Sequence, residues 1–110
     1  MGLTKTEIFN KNQNDIAAVS KVLGHPARIA ILEHLANEKA CICGDLVLEI
    51  GLSQPTISQH LKELKNIGII KGTIEGTRIC YCIDAEKWSE IQHLLTTFYN
   101  KITLSDASCC

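Results

Sequence analysis

The chain has 110 residues, 45% of them hydrophobic, and a formal net charge of −1. That is one domain with enough apolar residues for a core, small enough to leave apolar surface for a second copy to cover. The balance excludes a polycationic nucleic-acid binder, no run of 18 apolar residues can span a bilayer, and the polar start holds no secretory leader, so a cytoplasmic location without a membrane partner is expected.

Residues 1–13 are polar and are expected to be a flexible N-terminal segment. Asn14 or Asp15 can cap a helix whose Ile16, Val19, Val22 and Leu23 share one face. Gly24 ends it. Pro26 suits the first turn of the next helix, about 26–37, with Ile29, Leu32, Leu35 and Ala36 inward. Cys41-Ile42-Cys43-Gly44 then links to a third helix at about 45–50, which carries Leu46 and Ile50 inward and breaks at Gly51. Ser53 is an N-cap for a fourth helix running to about residue 66, with Pro55 in its first turn and Gly68 closing it. Residues 69–75 and 77–83 read as two strands around a Glu75-Gly76 turn. On the second strand Ile79, Tyr81 and Ile83 point one way, and Arg78, Cys80 and Cys82 the other.

The last helix, about 85–104, sets Trp88, Ile91, Leu95, Phe98 and Ile102 at spacings of 3, 4, 3 and 4. This heptad-like seam, together with the first helix, suits packing against a second copy. A short tail, 105–110, ends in Cys109-Cys110. The order predicts a mainly α fold with a β-hairpin wing: a dimeric winged helix-turn-helix over residues 14–104.

Two helices separated by Gly51-Leu52-Ser53 are the reading head of that fold. On the second of them Ile57, Leu61 and Leu64 face the core, with His60 at the border. Opposite lie Pro55, Gln59 and Lys62, flanked by Thr56, Ser58 and Glu63. Hydroxyls and amides near a helix N-terminus suit base edges in the major groove, and glutamine can bond adenine in a bidentate fashion. Lys62 and Lys65 are placed to neutralise phosphates, and Arg78 on the wing to meet the backbone or minor groove. Between Ser53 and Arg78, four basic residues (Lys62, Lys65, Lys71, Arg78) stand against Glu63 and Glu75, a local excess of two. The expected partner is double-stranded operator DNA.

Enzyme chemistry finds no support. There is no Cys-x-x-Cys near a βαβ pattern, no assembled nucleophile and base, and no glycine-rich phosphate loop.

Six cysteines in a reducing compartment point to metal or redox chemistry instead of a disulfide framework. A soft ion wants sulfur. Trivalent arsenic or antimony takes three thiolates; cadmium or lead takes three or four, and zinc is a further option. No constitutive cofactor is expected. Cys41 and Cys43 supply two ligands, and Cys109 or Cys110 is the source of the third, since five extended residues from Leu104 reach about 17 Å. Cys80 and Cys82 form a secondary dithiol on the wing. The alternative is a redox or reactive-sulfur sensor in which Cys41 or Cys43 links to a tail thiol.

The segment from Leu23-Gly24-His25-Pro26-Ala27-Arg28 to Ile31-Leu32, then Gly44-Asp45-Leu46, then Gly51-Leu52-Ser53-Gln54-Pro55-Thr56-Ile57-Ser58-Gln59-His60-Leu61-Lys62-Glu63-Leu64 resembles the ArsR/SmtB family of bacterial metal-sensing repressors. The wing, Glu75-Gly76-Thr77-Arg78-Ile79-Cys80-Tyr81-Cys82-Ile83, continues the likeness, which covers about residues 14–104. The resemblance, which points to the arsenic-responsive branch, implies a homodimer that holds its operator until an effector binds, with Gln54, Ser58 and Gln59 at positions that touch DNA in relatives. The family's zinc site on the last helix has no counterpart here, where His93 alone remains. The family's Cys-Val-Cys-Asp-Leu-Cys run is matched out of register by Cys41 and Cys43, with Val47 in place of the third thiol.

Overall fold

The computed structural model describes residues 5–38, 42–43, 50–75 and 78–102, of which 5–6, 38, 42–43, 54, 73–75 and 78–79 are described by backbone alone. The expected third helix (Ile50 apart), the tip of the wing, Cys41, and the tail with Cys109 and Cys110 lie outside the described residues.

After a single turn, α1 (Lys5–Ile8), the chain enters α2 (Lys11–Leu23). This helix starts before the expected Asn14 or Asp15, within the stretch expected to be flexible. Asn10 caps it: its side-chain oxygen accepts from the Gln13 N–H at 2.8 Å, while its own N–H donates to Gln13 Oε1 at 3.0 Å. Two otherwise orphaned donors are thereby satisfied by polar residues, a signal that a reading of apolar periodicity passes over. Val19 is buried, and Val22 and Leu23 pack around the core as expected.

His25 organises the start of α3 (Pro26–Glu38), its Nδ1 accepting from the Ala27 N–H at 3.1 Å. The buried stripe of α3 is Ile31, Leu32 and Leu35, whereas Ile29 is 39% exposed and Ala36 is also at the surface. The expected inward role of Ile29 and Ala36 is therefore corrected. Ile31 and Leu35 share a ridge at i, i+4, and Ile29 stands two residues, or about 200°, around the helix from Ile31.

In α4 (Gln54–Asn66), Ile57, Leu61 and Leu64 are fully buried, as the sequence predicts. Its end is sharp. Gly68, at φ +90°, donates to the Lys65 carbonyl at 3.0 Å and Ile69 donates to that of Leu64 at 3.1 Å. This pair of bonds, with Ile69 and Leu64 both buried, is a Schellman cap that only a residue tolerant of positive φ accepts cheaply.

The chain turns directly into β2 (Ile70–Glu75) and β3 (Arg78–Ile83), paired antiparallel from Ile70↔Ile83 to Glu75↔Arg78. A third strand was not expected: β1 (Ile42–Cys43) pairs antiparallel with the other edge of β3, giving the order β1-β3-β2. Two residues carry no periodicity, so this strand exists only through its long-range partner. Tyr81, central in β3, is fully buried, and its hydroxyl finds no hydrogen-bond partner among the described residues. Burial pushes that phenol above its usual value. Opposite Tyr81, Gly72 adopts φ +142°, and a Cβ there would collide with the carbonyl of Cys80.

Asp84 opens α5 (Ala85–Lys101): its N–H donates to the Ile69 carbonyl at 2.9 Å and its Oδ1 accepts from the Lys87 N–H at 3.0 Å. Within the seam Ile91 is buried, Trp88 and Leu95 pack on the chain's own core, Phe98 is half-buried, and Ile102 is 60% exposed. No helix among the described residues is long and apolar enough to cross a membrane.

Candidate nucleic-acid interface

The two faces of α4 divide its work. Ile57, Leu61 and Leu64 anchor the helix, and on the other side Pro55, Thr56, Gln59 and Lys62 are exposed, with Ser58 half-buried between. Ser53 takes the extended N-cap conformation, but its hydroxyl pairs with the Thr56 hydroxyl at 2.9 Å and makes no cap bond. Gln59 donates from Nε2 to Glu63 Oε1 at 3.1 Å, so its amide is held along the exposed ridge of the helix. Lys62 and Lys65 are exposed around it. Gln54 is the first residue of α4 and Arg78 the first of β3, opposite Glu75; the side chains of both lie outside the description.

A group that the sequence does not single out fixes α4 from behind. Arg28 donates from Nε to His60 Nδ1 at 3.1 Å and from Nη1 to the Val22 carbonyl at 3.2 Å. One guanidinium therefore joins the end of α2 to the middle of α4. The His25 ring stacks obliquely on His60, centroids 4.3 Å apart. His60 is buried, and with Nδ1 accepting from a cation it is held neutral. Desolvation first, then the nearby His25 and Arg28, push its pKa below the usual 6.5. Nothing local in the sequence betrays this network, because Arg28 and His60 are 32 residues apart.

The sign of the effect follows. A histidine whose pKa is depressed in the folded chain is charged more readily when unfolded, so stability is full above pH 6.5 and falls as the pH drops through that value. The urea midpoint, followed by circular dichroism, is expected to stay flat from pH 8 to about 7 and decline below. His60→Gln should flatten the decline. An equal acid loss in that variant would show that other groups carry it.

The cysteines form the second feature. The register sets Cys43 of β1 directly opposite Cys80 of β3. Cys80 is disulfide-bonded; Cys82, half-buried two residues on, keeps its thiol. Among the described residues no group of three or more His, Cys, Asp or Glu side chains gathers to hold a metal ion. The register thus sets Cys43 beside Cys80, two residues that the sequence reading assigned to separate pairs.

Comparison with known proteins settles the family. The profile of the bacterial regulatory proteins of the arsR family matches residues 25–71, from the histidine that caps α3 to the start of β2. An uncharacterized HTH-type transcriptional regulator of Methanocaldococcus jannaschii is 41% identical, over 72% of this chain and 89% of its own. This chain belongs to the arsR family. The arsenical resistance operon repressor of Staphylococcus xylosus is 30% identical over 86% of each chain. Among solved structures, the transcriptional repressor BigR of Xylella fastidiosa superposes with a TM-score of 0.56 at 27% identity, covering 86% of this chain and 94% of that one. This arsR-family chain is a winged helix-turn-helix transcriptional regulator, a fold that binds DNA, and its relatives are regulators and not enzymes.

Proposed function

We propose that this arsR-family regulator is a homodimeric repressor that reads operator DNA with the exposed face of α4 and lets go when a thiophilic ion binds its cysteine thiolates. The observation that carries the reading is the division of α4: a fully buried apolar face opposite exposed Thr56, Gln59 and Lys62. Gln54, Ser58 and Arg78 complete the set proposed to touch DNA, Arg78 from the wing. Trivalent arsenic or antimony is the preferred effector. A relative is an arsenical resistance operon repressor, and six cysteines offer the sulfur such ions select. Cadmium, lead and zinc are the other candidates. Cys41 and Cys43 are proposed as ligands, with the third drawn from Cys109 or Cys110, and Cys80 and Cys82 as a secondary pair.

The test is fluorescence anisotropy of a duplex selected from a random pool with the reduced chain. Tight, salt-dependent binding that arsenite reverses is expected, with an effector coupling of about 5- to 150-fold in DNA affinity. Gln59→Ala should cost about 1–3 kcal/mol on the selected duplex and little on random DNA. Lys62→Ala should weaken both alike, as the loss of a phosphate contact does. A chain that selects no duplex would refute the repressor reading. The disulfide at Cys80 favours a second reading, in which oxidation or reactive sulfur is the signal. In that case a two-electron oxidant releases the duplex and arsenite does not.

A further inference from the structure

We propose that Cys43, Cys80 and Cys82 form one thiolate site for a soft metal or metalloid ion on a single face of the three-stranded sheet. The proposal deepens the ion-sensing reading above and rests on it for the site's regulatory role. It replaces the tail thiols with the wing as the source of the completing ligands.

The register carries the geometry. Ile42 stands opposite Tyr81 and Cys43 opposite Cys80. Tyr81 is fully buried in the core, so its neighbours Cys80 and Cys82, one residue to either side, occupy the opposite face of β3, and both are half-buried there. Directly opposed residues of an antiparallel pair have Cβ atoms about 4.5–5.5 Å apart, within reach of one ion between two sulfurs. The disulfide at Cys80 is an independent sign that a second sulfur comes close to it. Cys82 and Cys43 both flank that position, one along the strand and one across it. The other neighbour of β3 adds a cation: exposed Lys71 of β2 is the register partner of Cys82. A positive charge beside a thiol favours the thiolate that a metal requires.

While Cys80 is held in its disulfide, one of the three sulfurs of the site is not available to an ion. An external dithiol reduces that disulfide with two electrons and two protons, leaving as its own disulfide and restoring both thiols. The ion and the disulfide therefore exclude one another. Ligation ties β1, which lies just before the helix-turn-helix, to the wing strand, so the two DNA-facing parts would be fixed relative to each other by one ion.

The fully reduced chain is titrated with Cd2+, reading the ultraviolet thiolate-to-cadmium band and the number of ions per chain. One tight ion per chain is expected. Cys80→Ser with Cys82→Ser, and Cys43→Ser alone, should each weaken it at least tenfold, while Cys109→Ser with Cys110→Ser leaves it unchanged. Should the sheet variants fail to fold, alkylation of the native reduced chain read by mass spectrometry decides. Cd2+ should protect Cys43, Cys80 and Cys82 and leave Cys109 and Cys110 to react. Loss of the ion in the tail variant, or protection of the tail with the sheet thiols still reactive, would overturn the proposal. The ion-sensing reading is scored separately, by arsenite release of the selected duplex. If the sheet thiols take up Cd2+ yet no soft ion releases DNA, the site stands and the sensing reading falls.

Discussion

A chain carrying Phe98→Glu and Ile102→Glu is expected to sediment as a monomer and to lose about 100- to 10,000-fold in affinity for its selected duplex. Two reading heads joined in a dimer engage two half-sites at a high effective concentration, and a monomer forfeits that gain without losing a single DNA contact. The choice of positions comes from the structure. Leu95, in the same seam, packs on the chain's own core, so charging it would confuse dimer loss with unfolding. Ile102 is 60% exposed at the end of α5, Tyr99 beside it is 62% exposed, and Phe98 is half-buried against Tyr99, with ring centroids 5.8 Å apart. Such apolar surface on one helix end suits a partner copy. Persistence of the dimer in sedimentation would show that the copies meet elsewhere, with the exposed Ile8 and Phe9 the next surface to charge.

Gly72→Val should be the most destabilising single change in the wing, by about 3–5 kcal/mol, near the upper limit for one substitution. Two costs add. The backbone there has φ +142°, a conformation that β-branched residues all but refuse, and any Cβ would run into the Cys80 carbonyl across the ladder. Relief requires β2 to move away from β3, which uncovers Tyr81 and Ile70, both in the core. Thermal unfolding followed by circular dichroism should drop by about 4–8 °C for each kcal/mol lost. A shift of only a few degrees would mean that the hairpin accommodates a side chain by slipping its register.

Much of this architecture was legible in the sequence because its strongest signals are local. The Ile57, Leu61 and Leu64 stripe, the glycine at 68 and the alternation across Tyr81 each specify a helix face, a stop or a strand face from neighbours alone. What escaped was non-local. Ile29 and Ile31 are chemically alike, and it is Ile31 that falls on the buried side of α3 with Leu32 and Leu35, the side from which Arg28 reaches His60 across the chain. The two-residue strand at Ile42–Cys43 has no period to read and is defined by β3, which comes nearly forty residues later in the chain. The start of α2 was missed for a different reason. Its cap is a polar exchange between Asn10 and Gln13, and polar pairs weigh little beside an apolar face. The candidate DNA face was legible for the opposite reason, since its residues are what remains once the core positions of α4 are assigned.

That partition of α4 has an evolutionary consequence. Thr56, Gln59 and Lys62 point away from every buried contact of the helix, so replacing them leaves the fold's stability nearly unchanged, within about 0.5 kcal/mol for ordinary surface positions. Ile57, Leu61 and Leu64, fully buried, carry the opposite constraint. A duplicated copy of this gene can therefore drift to a new operator without first becoming unstable. On the proposed reading, Thr56 and Gln59 are where a library would be randomised to build mutually blind repressors on one scaffold, with Lys62 kept for its phosphate contact.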